Sequence, residues 1–169
     1  MQDANKGRIS DEEYMSQVVD EMSDLIAQHP DDRRAVFMRG NAYLDWGKLD
    51  DAIADYDRTL ELEDGDAVVY NNRGTAYRLK QQADRAIDDF NKALELRPDY
   101  REAFNNRGMV YSDLFEYEKA VADFTRSIEI DPNYWYAYNH RAMALWSLGR
   151  KEEAQEDYAV VSRLMGRGP

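Results

Sequence analysis

The chain has 169 residues, 43% of them hydrophobic and 12% aromatic, enough to bury a sizeable core in one domain or at most two. Charged residues make up 33% and no apolar run approaches the roughly 18 residues of a membrane span, which excludes a transmembrane helix, while a net charge of -12 argues against nucleic acid, whose phosphates need clustered Lys and Arg. The absence of cysteine removes thiol catalysis, disulfides and thiolate zinc sites, and no signal peptide is visible over Met1 to Ser10, so localisation stays open with the cytoplasm as the default.

In chain order, residues 1–9 read as a flexible tail. Ser10-Asp11-Glu12-Glu13 then forms a capping-box pattern, in which the Ser side chain and Glu13 satisfy free backbone donors. Tyr14, Val18, Met22 and Leu25, joined by Met15, Val19 and Ile26, make an apolar stripe at helical spacing that ends at His29-Pro30. A capping helix over 10–29 follows.

Beyond it a 34-residue period sets in. Gly40, Gly74, Gly108 and Ala142 mark the same position, followed three residues later by Tyr43, Tyr77, Tyr111 and Leu145 and twelve residues later by Ala52, Ala86, Ala120 and Ala154. Bulky rings recur at Tyr56, Phe90, Phe124 and Tyr158, small residues at Thr59, Ala93 and Ser127, with Val161 the exception, and prolines at Pro98 and Pro132. Small residues let two helices of a unit approach closely while the rings fill the space beside them. The period predicts first helices at 33–46, 67–80, 101–114 and 135–148, and second helices at 50–63, 84–97, 118–131 and 152–165.

These residues resemble the tetratricopeptide repeat, which has Gly or Ala, Tyr, Ala, Phe or Tyr, Ala and Pro at those offsets. The chain departs from it at the closing proline of the outer units, where Asp64 and Gly166 stand, both turn-compatible. The resemblance implies an all-α fold, a right-handed α-solenoid of four helix pairs at 33–66, 67–100, 101–134 and 135–168 with an extra N-terminal helix. One unit alone buries too little surface, so stability comes from stacking. It further implies a protein-protein interaction scaffold that binds a protein or an extended peptide in a concave groove lined by the first helices. A second reading is a small acidic chaperone for a secreted client, a class that uses the same repeat.

The groove candidates follow from the offsets. Asn71, Asn105 and Asn139 share one, Asn72 and Asn106 share the next, where Met38 and His140 stand in the outer units, and Asn41 joins them. Amides donate and accept at once and so match an extended backbone. The second offset resembles the asparagine ladder of tetratricopeptide proteins such as the O-linked N-acetylglucosamine transferase, carried over here only by Asn72 and Asn106. These amides either hold a peptide or tie one helix to the next. Phe37, Met109, Tyr136, Met143 and Trp146 supply apolar surface, some of it for the groove and some for the core. The carboxylate clamp of chaperone-binding relatives is incomplete: Asn41 and Asn72 match its asparagines, but Phe37, Glu102 and Asn106 replace its basic members.

Each unit also carries an arginine before the small residue, Arg39, Arg73, Arg107 and Arg141, and an aspartate before the ring, Asp55, Asp89, Asp123 and Asp157. Fourfold recurrence of opposite charges predicts a structural ion-pair ladder, since an unpaired buried arginine is costly. Most remaining acids fall on second helices and read as a solvated outer face. No enzyme is expected: His29 and His140 belong to no nucleophile or metal motif, and Glu63-Asp64-Gly65-Asp66 lacks the length and closing Glu of an EF-hand loop, so neither a metal nor another cofactor is implied. In the last helix Ala154, Tyr158, Val161 and Leu164 are expected to be partly exposed, either for self-association or as a tolerated end solvated by Lys151, Glu152 and Glu156.

Overall fold

The computed structural model describes residues 10–166, and the expected tail at 1–9 lies outside them. Among the described residues the chain forms nine α-helices and no strands: α1 (Asp11–Gln28), α2 (Arg33–Asp45), α3 (Leu49–Leu62), α4 (Ala67–Leu79), α5 (Ala83–Leu96), α6 (Arg101–Asp113), α7 (Tyr117–Ile130), α8 (Trp135–Ser147) and α9 (Lys151–Leu164). None of them is long and apolar enough to cross a membrane. Each helix packs on its neighbours in sequence, and α2, α4, α6 and α8 also pack on one another in turn. No such contact joins α3, α5, α7 and α9, so among the described helices the first of each pair crowd together on the inside of the curve and the second splay on the outside. The result is an α-solenoid.

Local chemistry sets the boundaries. At α1 the Ser10 hydroxyl accepts from the Glu13 amide at 3.1 Å while the Ser10 amide donates to the Glu13 carboxylate at 2.9 Å. The four first helices end one residue before the expected positions, and the second helices begin and end one residue early. The reason is the tight turn inside each pair. A residue at positive φ, Gly47 (77°), Gln81 (61°), Phe115 (60°) or Gly149 (77°), reverses the chain, and the amide after it donates back to Tyr43, Tyr77, Tyr111 or Leu145. Glycine takes that conformation freely, whereas Gln81 and Phe115 hold it at a cost of about 1 kcal/mol.

The core is built at the contacts the repeat marks. Tyr56, Phe90 and Phe124 are fully buried, each lying against the glycine of its own pair, and Ala52, Ala86, Ala120 and Ala154 are buried beside them. Ala154 therefore departs from its expected exposure: it packs with Ala142 and Leu145 and faces inward. Tyr158 is exposed, and Val161 and Leu164 are half-buried.

The four arginines join pairs as well as helices. Arg39, Arg73, Arg107 and Arg141 each donate from Nε at 2.8 Å and from Nη2 at 2.7 Å to the two carboxylate oxygens of Asp55, Asp89, Asp123 and Asp157. These hydrogen bonds raise every one of the four guanidinium pKa values and keep the groups charged. The remaining nitrogen, Nη1, reaches back to the preceding outer helix, at Asp57 (2.6 Å), Asn91 (2.6 Å) and Thr125 (3.0 Å) for the last three arginines. For Arg39 the acceptor is Ser23 of α1 at 3.1 Å, which lies 34 residues before Asp57. The N-terminal helix thus stands in the register of an outer helix, a relation its dissimilar sequence concealed.

Candidate peptide groove

The inner helices carry their exposed offsets on the concave face, where the amides interlock. Asn106 Nδ2 donates to Asn71 Oδ1 at 3.0 Å, Asn71 Nδ2 to Asn72 Oδ1 at 3.2 Å, and Asn72 Nδ2 to Asn41 Oδ1 at 2.9 Å. The Tyr56 hydroxyl, kept protonated because burial pushes its pKa up, also donates to Asn41 Oδ1 at 2.8 Å. One chain of hydrogen bonds therefore crosses α6, α4 and α2. Asn71 and Asn105, expected to face a ligand, are only 6% and 2% exposed. Their offset points into the contact between successive inner helices, which takes these two amides out of a bound segment's reach. Asn41, Asn72 and Asn106 remain half-exposed, and Asn139 lies against the Met143 sulfur at 3.9 Å.

His140 takes the place of an amide in the last pair. Its Nδ1 lies 2.9 Å from Asn105 Oδ1, an acceptor, so this nitrogen donates and the neutral ring carries its proton there. Burial, with Arg78 nearby, lowers the imidazole pKa below its ordinary value of about 6.5. The folded state therefore disfavours the protonated ring. Its contribution to stability is full above about pH 6.5 and is lost as pH falls toward the lowered folded value. Urea titrations from pH 7.5 to 5 are expected to show the wild type losing stability against His140→Asn, which supplies the amide of the other pairs without a titrating group. Parallel curves for the two proteins would remove His140 from the account.

An opening on the concave face lies between α6 and α8, where the amide chain gives way to apolar groups. Met109 and Met143 flank it, Phe124 and Tyr117 of α7 form its floor, and His140, Ser112, Asp113 and Ser147 contribute polar atoms around about 360 Å³. That volume lies within the range of pockets that take a ligand or a large side chain. Met143 is 55% exposed and Tyr136, stacked on Trp135 at 3.7 Å, is 47% exposed, so the apolar surface continues along α8 beside Trp146. Phe37 does not join it. That ring packs 6.1 Å from Tyr56 as part of the first pair's core. Ser112, Asp113 and Phe124 were not among the expected groove residues; Ser112 and Asp113 occupy the same offsets as Arg78 and Leu79 one period earlier.

Sequence profiles of the tetratricopeptide repeat match residues 20–67, 67–100, 102–134 and 136–159, which together reach all four helix pairs, ending within α9, and the last part of α1. The chain belongs to the tetratricopeptide repeat family. No curated protein sequence matches it. Among solved structures, MamA superposes with a TM-score of 0.80 at 23% identity over 90% of this chain and 90% of that one. YrrB, described as a tetratricopeptide protein with an unusual peptide-binding site, superposes with a TM-score of 0.69 at 26% identity over 85% of this chain and 74% of that one. The first tetratricopeptide domain of Spaghetti (RPAP3), solved with the HSP90 peptide SRMEEVD, gives 0.66 at 29% identity over 69% of this chain and 93% of that domain. The tetratricopeptide fold supports a protein-interaction scaffold, and relatives of this shape hold peptides.

Proposed function

We propose that the protein is a scaffold that captures an extended segment of a partner protein in its concave groove, with the pocket between α6 and α8 as the principal contact. The observation that carries this reading is the pocket itself: thioether and aromatic surface lies open to solvent on the inner, concave face of the solenoid. Methionine side chains adapt to a range of apolar partners. Asn41 Nδ2 and Asn106 Oδ1, the ends of the amide chain, lie upstream in the groove and offer backbone contacts beyond the pocket. An acidic tail of the kind bound by the Spaghetti domain is not the expected ligand, since Phe37, Glu102 and Asn106 stand where a carboxylate clamp needs cations.

The test is capture from the native host followed by quantitative mass spectrometry, comparing wild type with Met143→Lys. Met143 is exposed, so the variant is expected to melt within a few degrees of wild type. A charge in the pocket is expected to reduce capture of the genuine partner at least about 10-fold, the equivalent of roughly 1.4 kcal/mol. Unchanged capture removes the pocket from the proposal. A single secreted client in the bound fraction selects the chaperone reading, and a multi-protein assembly selects the scaffold.

A further inference from the structure

The apolar pocket has a carboxylate in its wall, and that restricts what can fill it. Asp113 ends α6, its side chain is 60% exposed, and it lines the cavity with Met109, Phe124, His140 and Met143. Arg78 of α4 donates a single bond to Asp113 Oδ2, from Nη1 at 3.2 Å, and among the described residues no donor reaches Oδ1. A wholly apolar occupant would strip water from this carboxylate without replacing its hydrogen bonds, which is unfavourable for a charged group. An acidic occupant would add a like charge. A side chain with an apolar stem and a cationic head meets both demands, because its methylenes cover the thioethers while its head bonds the carboxylate.

We infer that the pocket anchors an arginine or lysine side chain of the captured segment, its stem lying on Met109 and Met143 and its cation at Asp113. The inference rests on the groove reading and names its ligand class. Neighbouring chemistry agrees. His140 uses its Nδ1 proton on Asn105 and stays neutral, so it adds no competing cation. The net charge of -12 steers basic segments toward the molecule. Arginine should surpass lysine, since its planar fork takes a carboxylate oxygen while its face stacks on the half-buried ring of Tyr117.

The experiment probes an array of immobilised decapeptides, randomised except for one central residue fixed as arginine, lysine, norleucine or glutamate, with the labelled full chain. The arginine and lysine pools are expected to retain at least about 10-fold more protein than the norleucine and glutamate pools. Asp113→Asn should bring the arginine pool down to the norleucine level. Glu61→Gln, which removes one negative charge from an exposed site on α3, should leave the preference intact. Melting curves of both variants verify that they fold. Equal retention on all four pools, abolished by Met143→Lys, would keep the groove and overturn the cationic anchor. An arginine preference that survives Asp113→Asn would also overturn it, as would a preference for glutamate. No retention on any pool would overturn both the anchor and the groove reading.

Discussion

Replacing Arg73 with leucine is expected to destabilise the protein by about 3–5 kcal/mol, because it leaves Asp89 without its guanidinium in a site where that residue is only 6% exposed. The same substitution releases Asp57 of the preceding outer helix, held at 2.6 Å, and so loosens the contact between the first and second pairs. For a fold whose total stability is of order 5–15 kcal/mol, that is a large fraction of the whole. The double variant Arg73→Leu/Asp89→Leu should recover most of the loss, since a matched apolar pair buries no charge. Urea unfolding of both variants measures the difference. A linked pH dependence provides a second readout. Burial already raises the folded-state pKa of Asp89 beside Arg73, and loss of the guanidinium raises it further, so protonation stabilises the folded variant. Its deficit should be complete above that raised value and shrink as pH falls through it toward the unfolded value of about 4. A single variant within about 1 kcal/mol of wild type would mean that the ladder behaves as a solvated surface pair.

Gly108→Ala should also destabilise, despite the gain of about 1 kcal/mol in helix propensity. A Cβ there would stand 2.7 Å from Cε1 and 2.9 Å from Cδ1 of Phe124, a ring locked in the core, whereas the nearest contact at Gly40 or Gly74 is 3.0 Å. Overpacking of this kind costs roughly 1–3 kcal/mol, so the net loss after the propensity gain should be up to about 2 kcal/mol. That corresponds to a fall of up to about 4–8 °C in Tm for a chain of this size. The fourth pair shows what accommodation looks like. Ala142 stands at the glycine position, and the facing ring, Tyr158, is 37% exposed where Tyr56, Phe90 and Phe124 are 0–1%. Phe124 also floors the groove pocket, so the displaced ring should weaken peptide capture together with stability. A Tm above that of wild type would contradict the close packing.

The regular part of this molecule was legible in the residues because each repeated contact selects a residue type on its own. A ring pressed against a helix backbone demands a glycine or alanine, and a buried arginine demands an acid, so the period and the Arg and Asp pattern could be read without coordinates. Ser23 shows where such reading stops. It shares its register with Asp57, Asn91 and Thr125, but four different side chains serve as acceptor for one nitrogen, so sequence similarity leaves no trace of the common role.

The asparagines are the sharper case. Their spacing placed them on the inner helices, yet an amide suits a peptide backbone and another amide equally well. Only the packing of α2, α4, α6 and α8 turned Asn71 and Asn105 into buried links and left Asn41, Asn72 and Asn106 at the surface. The pocket beside His140 likewise draws on α6, α7 and α8 at once. The sequence by itself determined the helices, their pairing and the family, because those depend on contacts that repeat every 34 residues. The tertiary structure alone decided which polar groups are spent on the fold and which stay free for a partner, because that depends on how neighbouring, non-identical repeats meet.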